Sequence, residues 1–186
     1  MRLEYQILLA VAADALIGDP RWWPHPVRGI GRFARAMEGT TRQAIRSPLL
    51  AGILTVLVVV GGTGALTWGV VHVCARLHAT AGDIAAIFFI YTAIAARDLA
   101  RHAMEVYSAL GSGDLVEARK RVARIVGRDT ESLDEAGVSR AAVESVAESI
   151  VDGITAPLFY AVIAGPVGAM AYRAVNTLDS TFGYTN

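Results

Sequence analysis

The sequence predicts an all-α, multi-pass integral membrane protein with a cytoplasmic helical segment and a broken or re-entrant helix. Only 18% of its 186 residues are charged and 54% are hydrophobic, whereas a soluble domain is usually about 25% charged. Residues 49–75 carry no Asp, Glu, Lys or Arg and are long enough to cross a bilayer. A second apolar run, residues 154–171, is interrupted by Gly165 and Pro166, which favour a break in the helix. We therefore expect residues 1–186 to form a single membrane helical domain.

Composition and motifs exclude several classes of function. The 17 basic and 17 acidic residues cancel to a net charge of +0, so no overall basic bias favours nucleic acid as a partner. The single cysteine, Cys74, excludes an intramolecular disulfide and a Cys-rich zinc site. The sequence contains neither a P-loop motif nor a dinucleotide-binding glycine motif. Any nucleotide site must therefore be unconventional.

Residues 1–18 are predicted to contain the first apolar helix, which is short for a complete membrane span. Asp14 lies inside this helix. An acid in such a segment either belongs to a functional site or lies near the helix end and reaches the membrane interface. The sequence leaves both interpretations open.

Residues 19–48 are predicted to be a basic cytoplasmic loop. Its first part contains three prolines, which forbid a regular helix there, and residues 33–48 have an amphipathic pattern. Asp19, His25 and Arg28 give the loop a polar group that could bind phosphate. Composition alone favours the other interpretation, an ordinary interfacial loop anchored by its two tryptophans.

Residues 49–96 are predicted to form a transmembrane helical hairpin with residues 76–82 as its short link. The second helix of the hairpin could continue into residues 97–102. Residues 19–48 contain six arginines and residues 97–140 contain eight Lys and Arg residues. The positive-inside rule places both basic regions on the cytoplasmic side, which agrees with the even number of crossings between them.

Residues 97–140 are predicted to be cytoplasmic helices. Asp114 is a plausible N-cap for a helix that Gly127 would end, and Ser139 is predicted to cap the next helix. Between these helices, Arg128 could bind a phosphate and Asp129 could bind Mg²⁺. Residue chemistry alone favours a simpler interpretation, in which this segment is a C-cap followed by an N-cap.

Residues 141–186 are predicted to contain an acidic helix, the broken apolar helix and a polar motif. Glu144, Glu148 and Asp152 are four residues apart, so on a regular helix they share one face. The polar motif follows the apolar run and includes Asp179. These acids can share a site on the cytoplasmic side only if the apolar run turns back, as a re-entrant helix does.

Four segments together resemble the adenosylcobinamide-phosphate synthase family of cobalamin biosynthesis, called CobD or CbiB. They are ADALIGDPRWWPHPVRGIGR (13–32), IVGRDT (125–130), SRAAVESVAESIVDGITAPLFYA (139–161) and YRAVNTLDSTFGY (172–184). The resemblance implies a multi-pass membrane enzyme with its active face towards the cytoplasm. It implies ATP-dependent, Mg²⁺-dependent formation of an amide between adenosylcobyric acid and aminopropanol or aminopropanol phosphate.

The resemblance, together with residue chemistry, implies the following candidate roles. The candidate catalytic carboxylates are Glu144, Glu148, Asp152 and Asp179, and Glu148, Asp152 and Asp179 are the candidate metal ligands. The candidate substrate- or phosphate-binding residues are Asp19, His25, Arg28, Arg128, Asp129, Thr130, Asn176 and Thr177.

Two departures from the family pattern affect these expectations. Ser149 stands where the family has Asn after Ala-Glu. Family members also continue well beyond the Asn-Thr-Leu-Asp-Ser motif, so this chain resembles an N-terminal portion. The expected partners are the corrinoid and amino alcohol substrates, membrane lipid, and a second copy or another chain that supplies the remaining portion, with no nucleic acid. The alternatives are a membrane transporter, for which the broken helix would bind solute, and a non-catalytic membrane scaffold related to the family.

Overall fold

The computed structural model describes residues 1–20, 25–127 and 129–183. Within these ranges the chain is helical and has no strand, which confirms the predicted all-α class. The α-helices are α1 (Leu3–Ile17), α2 (Pro26–Ala44), α3 (Pro48–Leu77), α4 (Ala79–Ala93), α5 (Ala96–Gly111), α6 (Leu115–Val122), α7 (Glu135–Ile150) and α8 (Ala156–Phe182). A π-helical segment, Val151–Thr155, joins α7 to α8.

Three helical stretches of the described chain are long and apolar enough to cross a membrane. They are Pro48–Leu77, Ala79–Gly111 and Glu135–Phe182. Large hydrophobic side chains such as Leu57 and Leu66 remain exposed on α3, as expected of a helix surrounded by lipid. The chain is therefore a multi-pass membrane protein.

The loop predicted over residues 19–48 is largely helical. Helix α2 begins at Pro26, where a proline is tolerated because the first-turn N–H has no partner inside the helix. His25 caps this end, since its Nδ1 accepts a hydrogen bond from the Val27 N–H at 3.3 Å. The prolines therefore start a helix as well as interrupt one. Trp22 and Trp23 lie outside the described residues.

Helices α3 and α4 form the predicted hairpin, with a link shorter than expected. His78 alone separates them, and it ends α3 and caps α4. The two helices pack closely because Gly82 has no side chain: a Cβ there would lie 2.6 Å from the Ala75 Cβ. The structure thus confirms the hairpin and reduces its link from seven residues to one.

Helix α4 does not continue into α5. The chain breaks at Ile94 and Ala95, and the Ala95 N–H donates a hydrogen bond to the Gly153 carbonyl at 3.0 Å. Asp14 caps the new helix, since its Oδ2 accepts from the Arg97 N–H at 3.2 Å. The Arg97 guanidinium donates in return to the Ala15 carbonyl at 2.9 Å, at the end of α1. The ends of α1 and α5 are therefore joined by opposite charges at complementary helix ends.

Helices α5, α6 and α7 pack around a small apolar core of their own. Its buried residues are Val106, Ala109, Ala118, Val122, Val138 and Ala141. The predicted cap Asp114 is confirmed, because its Oδ1 accepts from the Glu117 N–H at 2.9 Å.

Two predicted boundaries in this region are wrong. Helix α6 ends at Val122, before Gly127, in a series of turns that folds Ile125 and Val126 onto the apolar core. Helix α7 starts after Asp134, before Ser139, because the Asp134 Oδ1 accepts from the Gly137 N–H at 2.8 Å. Asp and Ser are comparable N-cap residues, and here the earlier one, Asp134, forms the cap.

Helix α8 contains the predicted break, and its two arms run antiparallel. Ala164 and Gly165 have non-helical dihedral angles, with φ of +61° at Gly165, immediately before Pro166. Tyr160 and Tyr172 stack with their ring centroids 5.3 Å apart, whereas twelve residues of straight helix would separate them by about 18 Å. The chain therefore turns back at Gly165, which confirms the predicted break in the apolar helix.

The π-helical segment follows from the position of Pro157. Proline has no N–H, so it cannot donate to the carbonyl of Gly153, its α-helical partner, or to that of Asp152, its π-helical partner. Both carbonyls accept bonds from elsewhere in the fold: Gly153 from the Ala95 N–H at 3.0 Å, and Asp152 from Arg173 Nη1 at 3.5 Å. The free carbonyls connect this segment to α5 and to the second arm of α8.

Candidate functional site

A cluster of charged and polar side chains lies where the ends of several helices meet beside the π-helical segment. It is called the polar cluster here and consists of Asp19, His25, Arg28, Asp152, Tyr172, Arg173 and Asn176. The loop after α1 contributes Asp19, the start of α2 contributes His25 and Arg28, and the second arm of α8 contributes the last three residues. The turn-back of α8 is what brings these segments together.

Asp19, His25 and Arg28 form one half of the polar cluster. The Asp19 Oδ1 lies 3.8 Å from His25 Nε2 and 3.9 Å from Arg28 Nη2, within ion-pair range but too far for hydrogen bonds. This oxygen is buried and has no hydrogen-bond partner among the described residues. A buried carboxylate oxygen with free lone pairs is a natural position for a ligand donor or a cation.

The surroundings of His25 favour its neutral imidazole form. Burial lowers the pKa of His25, and the charges of Arg173 and Arg28 lower it further, against the opposing effects of Asp19 and Asp98. Its Nδ1 accepts the α2 cap, so in the neutral ring the proton is on Nε2, which faces Asp19. His25 can therefore donate a hydrogen bond into the polar cluster from Nε2.

Asp152, Tyr172, Arg173 and Asn176 form the other half. The Tyr172 hydroxyl donates to the Asp152 Oδ1 at 3.0 Å, and Arg173 Nη1 donates to the Asn176 Oδ1 at 3.3 Å. Arg173 is close enough to Asp19 and Asp152 to interact with them electrostatically. Its Nε is buried and has no hydrogen-bond partner among the described residues. Each half of the cluster thus contains one buried polar atom without a bond.

The structure separates the acids of the predicted stripe. Glu144 and Glu148 are exposed on α7, where they line a depression beside Gly127. Asp152 instead lies in the π-helical segment, and its carboxylate accepts a hydrogen bond from the Tyr172 hydroxyl in the polar cluster. Asp179 is exposed near the end of α8, in a groove with Glu38.

These positions show whether the three predicted metal ligands lie together. In the described part of the chain, no group of three or more His, Cys, Asp and Glu side chains is arranged to bind a metal ion. Glu148, Asp152 and Asp179 therefore do not form a single three-carboxylate ligand set. Of the three, Asp152 is the member of the polar cluster.

The remaining predicted ligands have local partners. The Asp129 Oδ1 accepts from the Glu131 N–H at 2.9 Å, and the buried Thr130 hydroxyl donates to the Arg119 carbonyl at 3.2 Å, as capping residues do. The Thr177 hydroxyl donates to the Arg173 carbonyl at 2.6 Å, one turn earlier in its own helix. Arg128 lies outside the described residues.

The family model described as "CobD/Cbib protein" matches residues 7–186. The chain belongs to the CobD/CbiB family.

Relatives of this family member cover nearly all of its length. It is 48% identical over 184 residues to "Cobalamin biosynthesis protein CobD" of Leptospira interrogans serovar copenhageni, an alignment of 99% of this chain and 58% of the relative. It is 45% identical over 180 residues to the CobD protein of Pelobacter propionicus, covering 97% and 56% of the two chains. It is 45% identical over 179 residues to "Cobalamin biosynthesis protein CbiB" of Salmonella choleraesuis, covering 95% and 56%. The chain therefore spans a little more than half the length of these relatives. No solved structure gives a significant match.

Two members of the polar cluster were not predicted from the sequence of this CobD/CbiB protein. Tyr172 and Arg173 lie within a segment that carries the family resemblance, but no role was derived for them. The signal that could have identified Arg173 is an arginine only seven residues after Pro166, inside an apolar helix with a break. Asp14, for which two interpretations were open, is buried and caps α5 through the Arg97 N–H.

Proposed function

We propose that this CobD/CbiB family member acts in cobalamin biosynthesis as an ATP-dependent acid–amine ligase. The reaction is amide formation between adenosylcobyric acid and aminopropanol or aminopropanol phosphate, giving adenosylcobinamide or its phosphate. The observation that carries this proposal is the family match over residues 7–186, together with relatives named cobalamin biosynthesis proteins. The polar cluster supports it by offering cationic, anionic and neutral polar groups in one place.

The chemistry requires activation of a carboxylate. A carboxylate is a poor acyl donor, and transfer of a phosphoryl group from ATP gives it a leaving group that the amine displaces as phosphate. Arg173 and Arg28 would bind the phosphate oxygens, and His25 Nε2–H would donate to them. Asp152 or Asp19 would accept the proton that the attacking amine loses. The polar cluster thus supplies positioning and charge stabilisation.

We propose that Mg²⁺ binds together with the ATP phosphates. Protein sites for Mg²⁺ commonly use one or two carboxylates together with substrate phosphates and waters, and do not need a cage of several acids. The separation of Glu148, Asp152 and Asp179 is compatible with that mode. Asp152 and the unbonded Asp19 Oδ1 are the carboxylates that the polar cluster offers.

We place the protein in the cell membrane with the polar cluster on the cytoplasmic side, where ATP is available. The positive-inside rule supports this orientation, because the regions around α2 and α5–α7 are rich in arginine. The proposed partners are the corrinoid, the amino alcohol phosphate and membrane lipid. A second copy of this chain or another chain is a further proposed partner, since this chain spans 58% and 56% of the length of two aligned relatives.

The re-entrant helix also favours a second candidate function, solute transport. Helices broken inside a membrane commonly bind substrates at the break in transporters. Proteoliposomes discriminate the two functions: a transporter accumulates cobyric acid or cobinamide without forming a new amide. The enzyme forms the amide in detergent, where no compartments exist.

The test is a product assay with purified protein, adenosylcobyric acid, aminopropanol phosphate, ATP and Mg²⁺, with the Leptospira interrogans relative assayed in parallel. We expect Asp152→Asn to lower the rate by at least about tenfold, since it removes a charge-assisted interaction. Glu148→Gln, an isosteric change on exposed α7, should retain most of the wild-type rate. Product from the relative but none from this chain would contradict the proposal for this chain.

A further inference from the structure

We propose that Arg173 is an oxyanion-binding residue, which holds a phosphate or carboxylate group of a ligand in the polar cluster. The inference deepens the proposed function and relies on it for the identity of the natural ligand. The binding itself is argued from the contacts of Arg173 alone. No role for this residue follows from the sequence motifs.

The first observation is that Arg173 has no hydrogen bond or ion pair with a carboxylate among the described residues. A guanidinium has five N–H donors, and the bonds of Arg173 in the described structure use only Nη1, to the Asp152 carbonyl at 3.5 Å and the Asn176 Oδ1 at 3.3 Å. Both acceptors are neutral and both bonds are long. The buried Nε has no partner among the described residues. A partly buried cation held only by neutral acceptors is costly unless an anion completes its coordination.

The second observation explains why Asp152 does not neutralise Arg173. The Asp152 carboxylate Oδ1 accepts from the Tyr172 hydroxyl at 3.0 Å, and the hydrogen bond from Arg173 goes to the Asp152 backbone carbonyl. Tyr172 is itself fixed by stacking on Tyr160, with ring centroids 5.3 Å apart. Tyr172 therefore occupies one oxygen of the neighbouring carboxylate, and the carboxylate forms no hydrogen bond with Arg173 in the described structure.

The third observation is that the backbone positions Arg173 without using its charge. Pro157 cannot donate to the Asp152 carbonyl, so this carbonyl is free to accept from Arg173. Asn176 lies one turn further along the same arm and accepts from the same nitrogen. A guanidinium oriented through one nitrogen presents its remaining donors as a planar fork, the geometry that suits phosphate and carboxylate.

The surrounding charges set the expected selectivity. Asp19 is a negative group that would affect an anion bound at Arg173. It interacts electrostatically with Arg173 and lies within ion-pair range of Arg28 and His25. An anion at Arg173 is repelled by Asp19 and attracted by Arg28. Neutralising Asp19 should therefore strengthen the binding of an anion in the absence of Mg²⁺.

The experiment measures binding, and so it does not depend on turnover. Calorimetric titrations of the purified protein with inorganic phosphate, aminopropanol phosphate and propionate, without Mg²⁺, identify the preferred oxyanion. A phosphate preference indicates the amino alcohol phosphate or ATP as the source, and a propionate preference indicates the corrinoid side chain. The matched control is Arg76→Gln, an exposed arginine in the last turn of α3.

We expect Arg173→Gln to weaken binding of the preferred anion by roughly tenfold to a hundredfold, the range for a charge-assisted bond. Arg173→Lys, which keeps the charge and is the safer variant for folding, should weaken it about tenfold because an ammonium lacks the planar fork. Asp19→Asn should tighten binding, and Arg76→Gln should not change it.

Equal affinities of the wild type, Arg173→Gln and Arg173→Lys would overturn the inference, as would failure of the wild type to bind any of the three anions. Anion binding that depends on Arg173 without amide formation would leave the inference standing and contradict the proposed ligase function. The two failures are therefore distinguishable.

Discussion

Tyr172 and Arg173 are neighbours in sequence that act in opposite ways on the same acidic residue. The tyrosine hydroxyl bonds the Asp152 carboxylate, whereas the arginine bonds the Asp152 backbone carbonyl. This division of contacts keeps a cation and an anion apart although they lie in one cluster. Removal of the hydroxyl should let them pair.

Tyr172→Phe tests this competition. The change keeps the ring that stacks on Tyr160 and removes the hydroxyl that holds Asp152. Asp152 is then free to form an ion pair with Arg173, so we expect phosphate affinity to fall about tenfold by calorimetry, as one strong bond is lost to the competitor. Tyr107→Phe, at a tyrosine that is 70% exposed on α5, is the control. An unchanged affinity in Tyr172→Phe would show that the hydroxyl does not control the pair.

His25 should make the stability of the folded protein depend on pH. Burial lowers the pKa of His25, so the unfolded chain binds more protons than the folded chain between the lowered value and the ordinary value of 6.5. Its contribution to stability is therefore complete above about pH 6.5 and is lost as pH falls through this window. Protonation also removes the Nδ1 acceptor that caps α2.

His25→Asn should abolish this part of the pH dependence, because asparagine is a good N-cap that does not titrate. Thermal unfolding in detergent between pH 7.5 and 5 provides the measurement. The wild-type midpoint should fall more steeply on acidification than that of the variant. Parallel curves would exclude His25 as the titrating group.

At the scale of elements, the π-helical segment and the break in α8 determine where the polar cluster forms. Pro157 cannot donate to the Gly153 or Asp152 carbonyl, and these carbonyls accept from the Ala95 N–H and from Arg173. Gly165 then adopts a positive φ that other residues rarely reach, and the chain reverses. One proline and one glycine thus bring α5, α7 and both arms of α8 to a common point.

Pro157→Ala restores an N–H that can bond the Asp152 or Gly153 carbonyl within the helix. We expect the Ala95 N–H to lose its acceptor in part, so its amide hydrogen should exchange about fivefold faster, the factor for a bond worth ~1 kcal/mol. Pro48→Ala is a matched control, because Pro48 lies in the first turn of α3, where an N–H has no helical partner. Unchanged exchange at Ala95 would mean that the π-helical segment does not depend on Pro157.

The sequence predicted the large features of the fold because they depend on composition and length. The absence of charge in residues 49–75 and the Gly165-Pro166 pair were enough to predict a spanning hairpin and a turn-back. The acidic stripe was a poorer guide. Its spacing of four put Glu144, Glu148 and Asp152 in one group. In the structure Glu144 and Glu148 are exposed beside Gly127, whereas Asp152 bonds Tyr172, a tertiary partner that the spacing does not reveal. Arg173 could not be assigned, because only the tertiary contacts show that its guanidinium lacks a carboxylate.

At the scale of the whole molecule, both ends of the apolar run 154–171 should lie on one side of the membrane, because Asp152 contacts Tyr172 and Arg173. The α3–α4 link at His78 should then lie on the opposite side, since α3 crosses between them. This arrangement allows Asp152, before the turn-back, to meet Tyr172 and Arg173, after it. A simple crossing by residues 154–171 would separate them.

Cysteine labelling distinguishes a turn-back of residues 154–171 from a simple crossing. Single cysteines are placed at the exposed positions Thr155, Ser180 and Thr80, in a background where the single native cysteine is replaced by Cys74→Ser. An impermeant thiol reagent is then applied to inside-out and right-side-out vesicles. We expect positions 155 and 180 to label from the same, cytoplasmic, side and position 80 to label from the other. Labelling of positions 155 and 180 from opposite sides would contradict the re-entrant helix and the polar cluster with it.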